Sequence, residues 1–238
     1  MKILNPKSEI LNKFENPRTK KINLGIVILL LFSISILVFN SGCAKTVTNP
    51  YAYNAQMVVE VTLRGTMDIV LHRYFMVLSS DPNFKIPLPP PDNIEFEFIE
   101  PGMAPQQGSI EAYFTNFYST WAGYVAVDPG GYFTVMGTFI QGQAVTREVL
   151  TGLGDISTKI SFNFPLSKIF PSTVPNPIYF DFVSVDWPTS DQKFAADHLT
   201  STNAYISKIA GSIQVIQDEE NLSLAPAEDI LSCTVTIQ

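Results

Sequence analysis

Two histidines, two cysteines and a scatter of carboxylates are the side chains on which any chemistry of this chain would rest. His72 sits beside Arg73 in an apolar stretch, so in a strand the two point to opposite faces. His198 follows Asp197 near the end of SDQKFAADHL (190–199), which has a Ser cap and good helix formers. A cation there suits a helix dipole. His-x-His, HExxH and paired-cysteine spacings are all missing, so a zinc site is not expected. GxSxG is also missing, and with only two histidines to serve as base a serine hydrolase is disfavoured. Gly152-Leu153-Gly154-Asp155 lacks the third glycine of a dinucleotide loop and reads as a turn. No catalytic residue and no cofactor are assigned from the sequence.

The carboxylates offer two groupings. Glu95 and Glu97 alternate with Ile94, Phe96 and Phe98, which on a strand places them on one exposed face, roughly 7 Å apart. A glycosidase pair needs about 5–9.5 Å, and an ordinary solvated strand face shows the same spacing. Asp181 lies in the row Tyr179, Val183, Val185, Trp187. Either it pairs with something, or that row faces outward. With Asp186 and Asp191 it supplies oxygens of the kind calcium takes, without the spacing of an EF-type loop.

The elements that would position these groups read mostly as strands. Hydrophobic residues make up 46% of the 238 and charged residues only 16%, a composition that forms a packed core rather than a disordered chain. Met57, Val59, Val61 and Leu63 alternate with Val58, Glu60, Thr62 and Arg64, and Ile160, Phe162 and Phe164 alternate with Lys159, Ser161 and Asn163. Each is a period-two stripe with one buried face. IVLHRYFMVL (69–78) is apolar on both faces, as in a central strand covered on both sides. Strands 121–127 and 132–140 flank Asp128-Pro129-Gly130-Gly131, a hairpin signal. Residues 178–187, 213–217 and 232–238 complete about nine or ten strands. In the stretch ILSCTVTIQ (230–238) Leu231, Cys233, Val235 and Ile237 share a face, which makes Cys233 a small buried apolar group rather than a nucleophile. Seventeen prolines disfavour long helices; Leu166–Phe170, boxed by Pro165 and Pro171, allows one turn at most, and 190–199 is the best helix.

Short strands separated by Pro/Gly turns predict an all-β fold, an antiparallel β-sandwich of Ig-like or jelly-roll-like kind with one or two short helices at most. An open barrel is the alternative. Two loops stand out. Lys85–Pro91 should be extended polyproline II. Pro101–Ser119 is long and aromatic-rich, with Tyr113, Phe114, Phe117 and Tyr118 at helix-like spacing. It either folds over one end of the sandwich and plugs its core, or offers Tyr113, Phe117, Tyr118 and Trp121 as a binding surface.

Charge divides the chain. Residues 1–42 hold six of the 15 basic residues against Glu9 and Glu15, a net of +4, and residues 43–238 carry a net of −11. An acidic domain with scattered Lys and Arg lacks the cationic footprint that phosphate backbones demand, so nucleic acid is excluded as a partner. Arg18, Lys20 and Lys21 precede LGIVILLLFSISILVF (24–39), sixteen residues without a charge. As a helix that run covers roughly 24 Å, short of the ~30 Å hydrocarbon core, which suits a cleaved export signal better than a permanent span. Ser41-Gly42-Cys43 follows. This arrangement resembles the lipobox of bacterial lipoproteins. Ser41 and Gly42 match the small pair and Cys43 the lipidated residue, while Asn40 stands where that class usually has an apolar residue. The resemblance covers residues 1–43 only. It implies cleavage between Gly42 and Cys43, acylation of the Cys43 sulfur, and stable anchoring through two or more acyl chains. The other reading is an uncleaved signal anchor with Cys43 a bystander. If Cys43 is acylated, Cys233 has no disulfide partner in the chain.

The expected organisation is a signal peptide (1–42), a lipidated cysteine and tether (43–54) and one β-sandwich domain (55–238). The expected function is that of an extracytoplasmic, membrane-anchored lipoprotein of the bacterial cell envelope, a non-enzymatic binding or structural module whose partners are the membrane and an envelope protein or glycan. Ala44 after the cysteine points to an outer-membrane or surface location. The alternatives are a glycan-acting enzyme using paired carboxylates and a carbohydrate- or protein-binding adhesin.

Overall fold

The apolar alternation of β1 (Gln56–Leu63) sets the first layer. Met57, Val59, Val61 and Leu63 are buried and Glu60 is exposed, the pattern of a strand with one face on a core. In the computed structural model, which describes residues 55–88, 96–199 and 204–238, β1 pairs antiparallel with β6 (Lys159–Pro165) on one side and β11 (Ile230–Ile237) on the other. β10 (Ile213–Gln217) adds to β11, giving a four-stranded sheet in the order β10-β11-β1-β6. The expected signal peptide and tether, residues 1–54, lie outside the described residues.

β2 (His72–Ser79) is the centre of a second, seven-stranded antiparallel sheet. It lies between β3 (Gly123–Asp128) and β7 (Ile178–Asp186). Beyond β3 come β4 (Gly131–Met136) and β5 (Arg147–Thr151); beyond β7 comes β8 (Ala195–His198), while β9 (Ala204–Ile206) pairs with the start of β7. The β3–β4 hairpin turns where the sequence places it, with Asp128 Oδ1 accepting from the Gly130 N–H at 2.7 Å. Gly131 follows at φ +123°, where a Cβ would meet the Thr151 carbonyl oxygen at 2.5 Å. The fold is thus the expected all-β antiparallel sandwich.

Both faces of the seven-stranded sheet are covered. On β2, Tyr74, Met76 and Leu78 point into the inner layer, where they meet Val59, Val61, Phe162, Phe164, Cys233 and Val235 of the four-stranded sheet. Phe75 and Val77 point the other way, into a second core with Tyr124, Val183 and Val185. That outer core is roofed by the long connection between β2 and β3. Phe84, Ile86, Phe96, Phe98 and Ile99 contribute to it, followed by helix α1 (Ile110–Asn116) and a 3-10 turn at Tyr118–Thr120. Ser109 caps α1, its Oγ accepting from the Ala112 N–H at 3.1 Å.

Several sequence expectations change. Residues 190–199 do not form a helix; 195–198 are β8, in register with Val183, Ser184 and Val185 of β7. Cross-strand pairing at the sheet edge overrides the intrinsic preference of Ala195 and Ala196. There are eleven strands among the described residues rather than nine or ten. β5 lacks an apolar stripe because it is an almost fully exposed edge, and β8 and β9 are too short to show a period. Residues 96–100 form no strand, and 84–88 lie in no helix or strand; Pro89–Pro91 lie outside the described residues. In β11 the core face carries Ile230, Cys233, Val235 and Ile237 while Leu231 is only part-buried. The register with β1 slips between Thr62 and Leu63, a bulge that turns Leu231 off the core.

The outer aromatic layer is as much a core as the inner one. Phe98 is 1% exposed and its ring centroid is 4.8 Å from Phe75. Phe98→Ala is expected to lower unfolding stability by about 3–5 kcal/mol, read from urea denaturation. A loss below ~1 kcal/mol would mean that the layer does not unfold with the rest of the domain.

Candidate functional site

At one end of the sandwich the connection from β10 to β11 crosses the inner layer and is bound to both sheets. Asp229 is fully buried, and Arg64, just past the end of β1, donates from Nε to its Oδ2 at 2.5 Å. Asn221 N–H donates to the same carboxylate at 3.1 and 3.3 Å, and Arg64 Nη2 donates to the Leu224 carbonyl at 2.6 Å. From the seven-stranded sheet, Tyr74 Oη donates to the Ala227 carbonyl at 2.8 Å and Ser184 Oγ to the Glu228 carbonyl at 2.6 Å. The Ile230 N–H donates to Asp197 Oδ2 at 2.7 Å.

This loop completes a three-residue cluster. The β2–β7 register sets His72 directly opposite Asp186, and strand alternation puts His72 on the inner face with Tyr74. Glu228 arrives from the loop. His72 Nδ1 is 3.3 Å from Glu228 Oε1 and 3.8 Å from Asp186 Oδ1. One ligand atom from each residue lies within 4.8 Å of the others, and this is the one group of three or more His, Cys, Asp or Glu so arranged among the described residues. His72 is 5% exposed, and its Nδ1 is shielded from solvent without a hydrogen-bond partner. The Glu228 side chain is largely buried and that of Asp186 is 58% exposed, so the cluster is closed on the core side and open on one outer side. The Ala225 N–H donates to Glu228 Oε2 at 3.1 Å, which leaves Oε1 turned toward His72.

Other residues singled out in the sequence fall elsewhere. Asp181 and Asp186 lie on opposite faces of β7, and Asp191 is exposed in the β7–β8 connection. The calcium grouping Asp181, Asp186, Asp191 is therefore not assembled. Asp181 instead lies on the outer face, 3.4 Å from His198 Nδ1, and accepts from the Leu199 N–H at 3.2 Å. Burial pushes its carboxyl above the ordinary range, opposed by His198. Tyr113, Phe117, Tyr118 and Trp121 are all buried, at 5% exposure or less. They pack as the roof of the outer core, not as an exposed binding surface. Their polar tips are occupied: Tyr113 Oη accepts from the Glu97 N–H, Tyr118 Oη donates to the Ile99 carbonyl, and Trp121 Nε1 donates to the Lys85 carbonyl.

Glu97 is not on a solvated face. It is 1% exposed, with Oε1 accepting from Gln106 N–H and Oε2 from Lys193 N–H. Glu95, Gly42 and Cys43 lie outside the described residues. Cys233 is buried and free, its thiol pushed up to about 12, chiefly by burial, as expected of an inert core group. A surface groove of about 410 Å³ beside β4 presents two ionisable side chains, Glu148 and Lys168, which pair with each other.

No protein-family model matches the chain, and no curated protein or solved structure matches it.

Asp197, which holds the start of β11, has its carboxyl raised to about 6, chiefly by burial, with Asp218 and Asp229 adding to the rise and the Ile230 and His198 N–H groups opposing it. The unfolded value is about 3.9, so between roughly pH 4 and 6 the folded state binds the proton more tightly. The resulting stabilisation is full below pH ~4 and is lost as pH rises through 6. The thermal midpoint of wild type relative to Asp197→Asn is expected to rise on acidification from pH 7 to 4. A pH-independent difference between the two would contradict this.

Proposed function

We propose that this chain is an extracytoplasmic lipoprotein of the bacterial cell envelope. Its β-sandwich is held at the membrane by an acylated Cys43 and acts as a non-enzymatic binding or structural module. The observation that carries the reading is the order of segments. A basic stretch, a sixteen-residue apolar run and Ser41-Gly42-Cys43 come first. β1, which lies inside the four-stranded sheet between β6 and β11, starts only at Gln56. Cleavage before Cys43 would therefore leave every described strand intact and leave 12 residues, 44–55, between the anchor and the first strand. The net charge of −11 on residues 43–238 also supports a lipid tether over electrostatic docking, since an acidic surface is repelled by anionic headgroups.

The module reading draws on how the described ionisable groups are used. Arg64–Asp229 secures a loop, Asp181–His198 secures the β8 edge, and Glu97 ties residues 97–106 to Lys193. These are scaffold contacts.

The test is the intact mass of the chain extracted from membranes. The expected species begins at Cys43 and carries the added mass of a diacylglyceryl group, with or without a further acyl chain. Cys43→Ala is expected to retain residues 1–42 and to carry no lipid. A wild-type chain of full-length, unmodified mass would overturn the lipoprotein reading in favour of an uncleaved anchor.

A further inference from the structure

We propose that His72, Asp186 and Glu228 form a binding site for a divalent transition-metal ion of the zinc class. Three observations converge on it. The first is ligand geometry. In a tetrahedral site with bonds of about 2.0–2.2 Å, ligand atoms lie roughly 3.3–3.6 Å apart. The His72–Glu228 separation, 3.3 Å, already has this value, and the His72–Asp186 separation, 3.8 Å, is within a small side-chain rotation of it. Asp186 is the exposed member and free to make that rotation.

The second is the state of the imidazole. Its Nδ1 is buried, faces both carboxylates and makes no hydrogen bond. A lone pair directed at a metal ion fills that role, whereas a plain ion pair would align an N–H on one of the oxygens. The third is support behind the ligands. The Glu228 carboxylate is oriented by the Ala225 N–H, and its backbone is fixed by Ser184 Oγ. The Asp186 backbone N–H is bonded to the Phe194 carbonyl at 3.0 Å. Such outer contacts hold metal ligands in place.

The donor set selects the ion. One imidazole nitrogen with two carboxylate oxygens suits zinc and its neighbours, while calcium needs more oxygens than the cluster supplies. Three protein ligands leave a fourth position, on the solvent side beside Asp186, for water or for a donor from a partner. Because the ligands come from β2, β7 and the β10–β11 loop, the bound ion would cross-link the two sheets at this end.

The experiment uses the full chain in detergent, without a polyhistidine tag and stripped with chelator, titrated calorimetrically with zinc chloride. One equivalent is expected to bind and to raise the thermal midpoint, with no rise from equal calcium or magnesium. Asp186→Asn, at an exposed position that leaves the core intact, and His72→Gln are each expected to weaken zinc binding roughly tenfold or more. His198→Ala, outside the cluster, is expected to bind like wild type. Absence of saturable one-to-one binding would overturn the proposal, as would undiminished affinity in Asp186→Asn with its fold verified by circular dichroism.

Discussion

A central strand that is apolar on both faces cannot be left with one side in water, and most of this fold follows from that requirement. Val77 and Phe75 project from one side of β2, Met76 and Tyr74 from the other, and all four are buried. One side is covered by the four-stranded sheet. The other needs a second roof, and no further sheet exists among the described residues to supply it. The chain uses the long β2–β3 connection instead. Aromatic rings suit this task because each covers a large area from a short segment, and edge-to-face contacts such as Phe96 on Tyr113 and Phe117 order them.

Covering both faces creates a second problem, the fate of polar backbone in buried loops. The roof and the β10–β11 loop solve it alike, by spending carboxylates on N–H groups. Glu97 accepts from Gln106 and Lys193, Asp229 from Asn221 and Arg64, and Asp197 from His198 and Ile230. Glu97 and Asp229 are buried and Asp197 is part-buried, and each finishes hydrogen bonds that the strands cannot. The His72, Asp186, Glu228 cluster differs, since its imidazole nitrogen is left without such a bond.

Which parts were legible in the sequence follows from how local the cause is. The stripes of β1 and β6, the two-faced apolar β2 and the Asp128–Gly131 turn encode themselves within ten residues, and the structure contains each. β8 is set by its neighbour, not by its own residues, so helix formers end in a strand. Leu231 leaves the core because of a bulge, which a period-two count does not reveal. For the cluster, odd and even numbering already separates Asp181 from Asp186, and the faces of His72 and Arg73 were readable from alternation. Glu228 was not, because it lies far along the chain and reaches the other two only through loop contacts that no short pattern carries.

Three outer strands of the two sheets, β5, β6 and β10, are not alike. β5 shows Arg147 and Glu148 to solvent, and β6 carries Lys159 and ends in Pro165, charges and a proline that discourage another strand from adding on. β10, IQVIQ, has none of these, and its Ile213 and Val215 are 64% and 51% exposed. Among these three edges, β10 is therefore the one that a strand of a second copy would meet without such a deterrent.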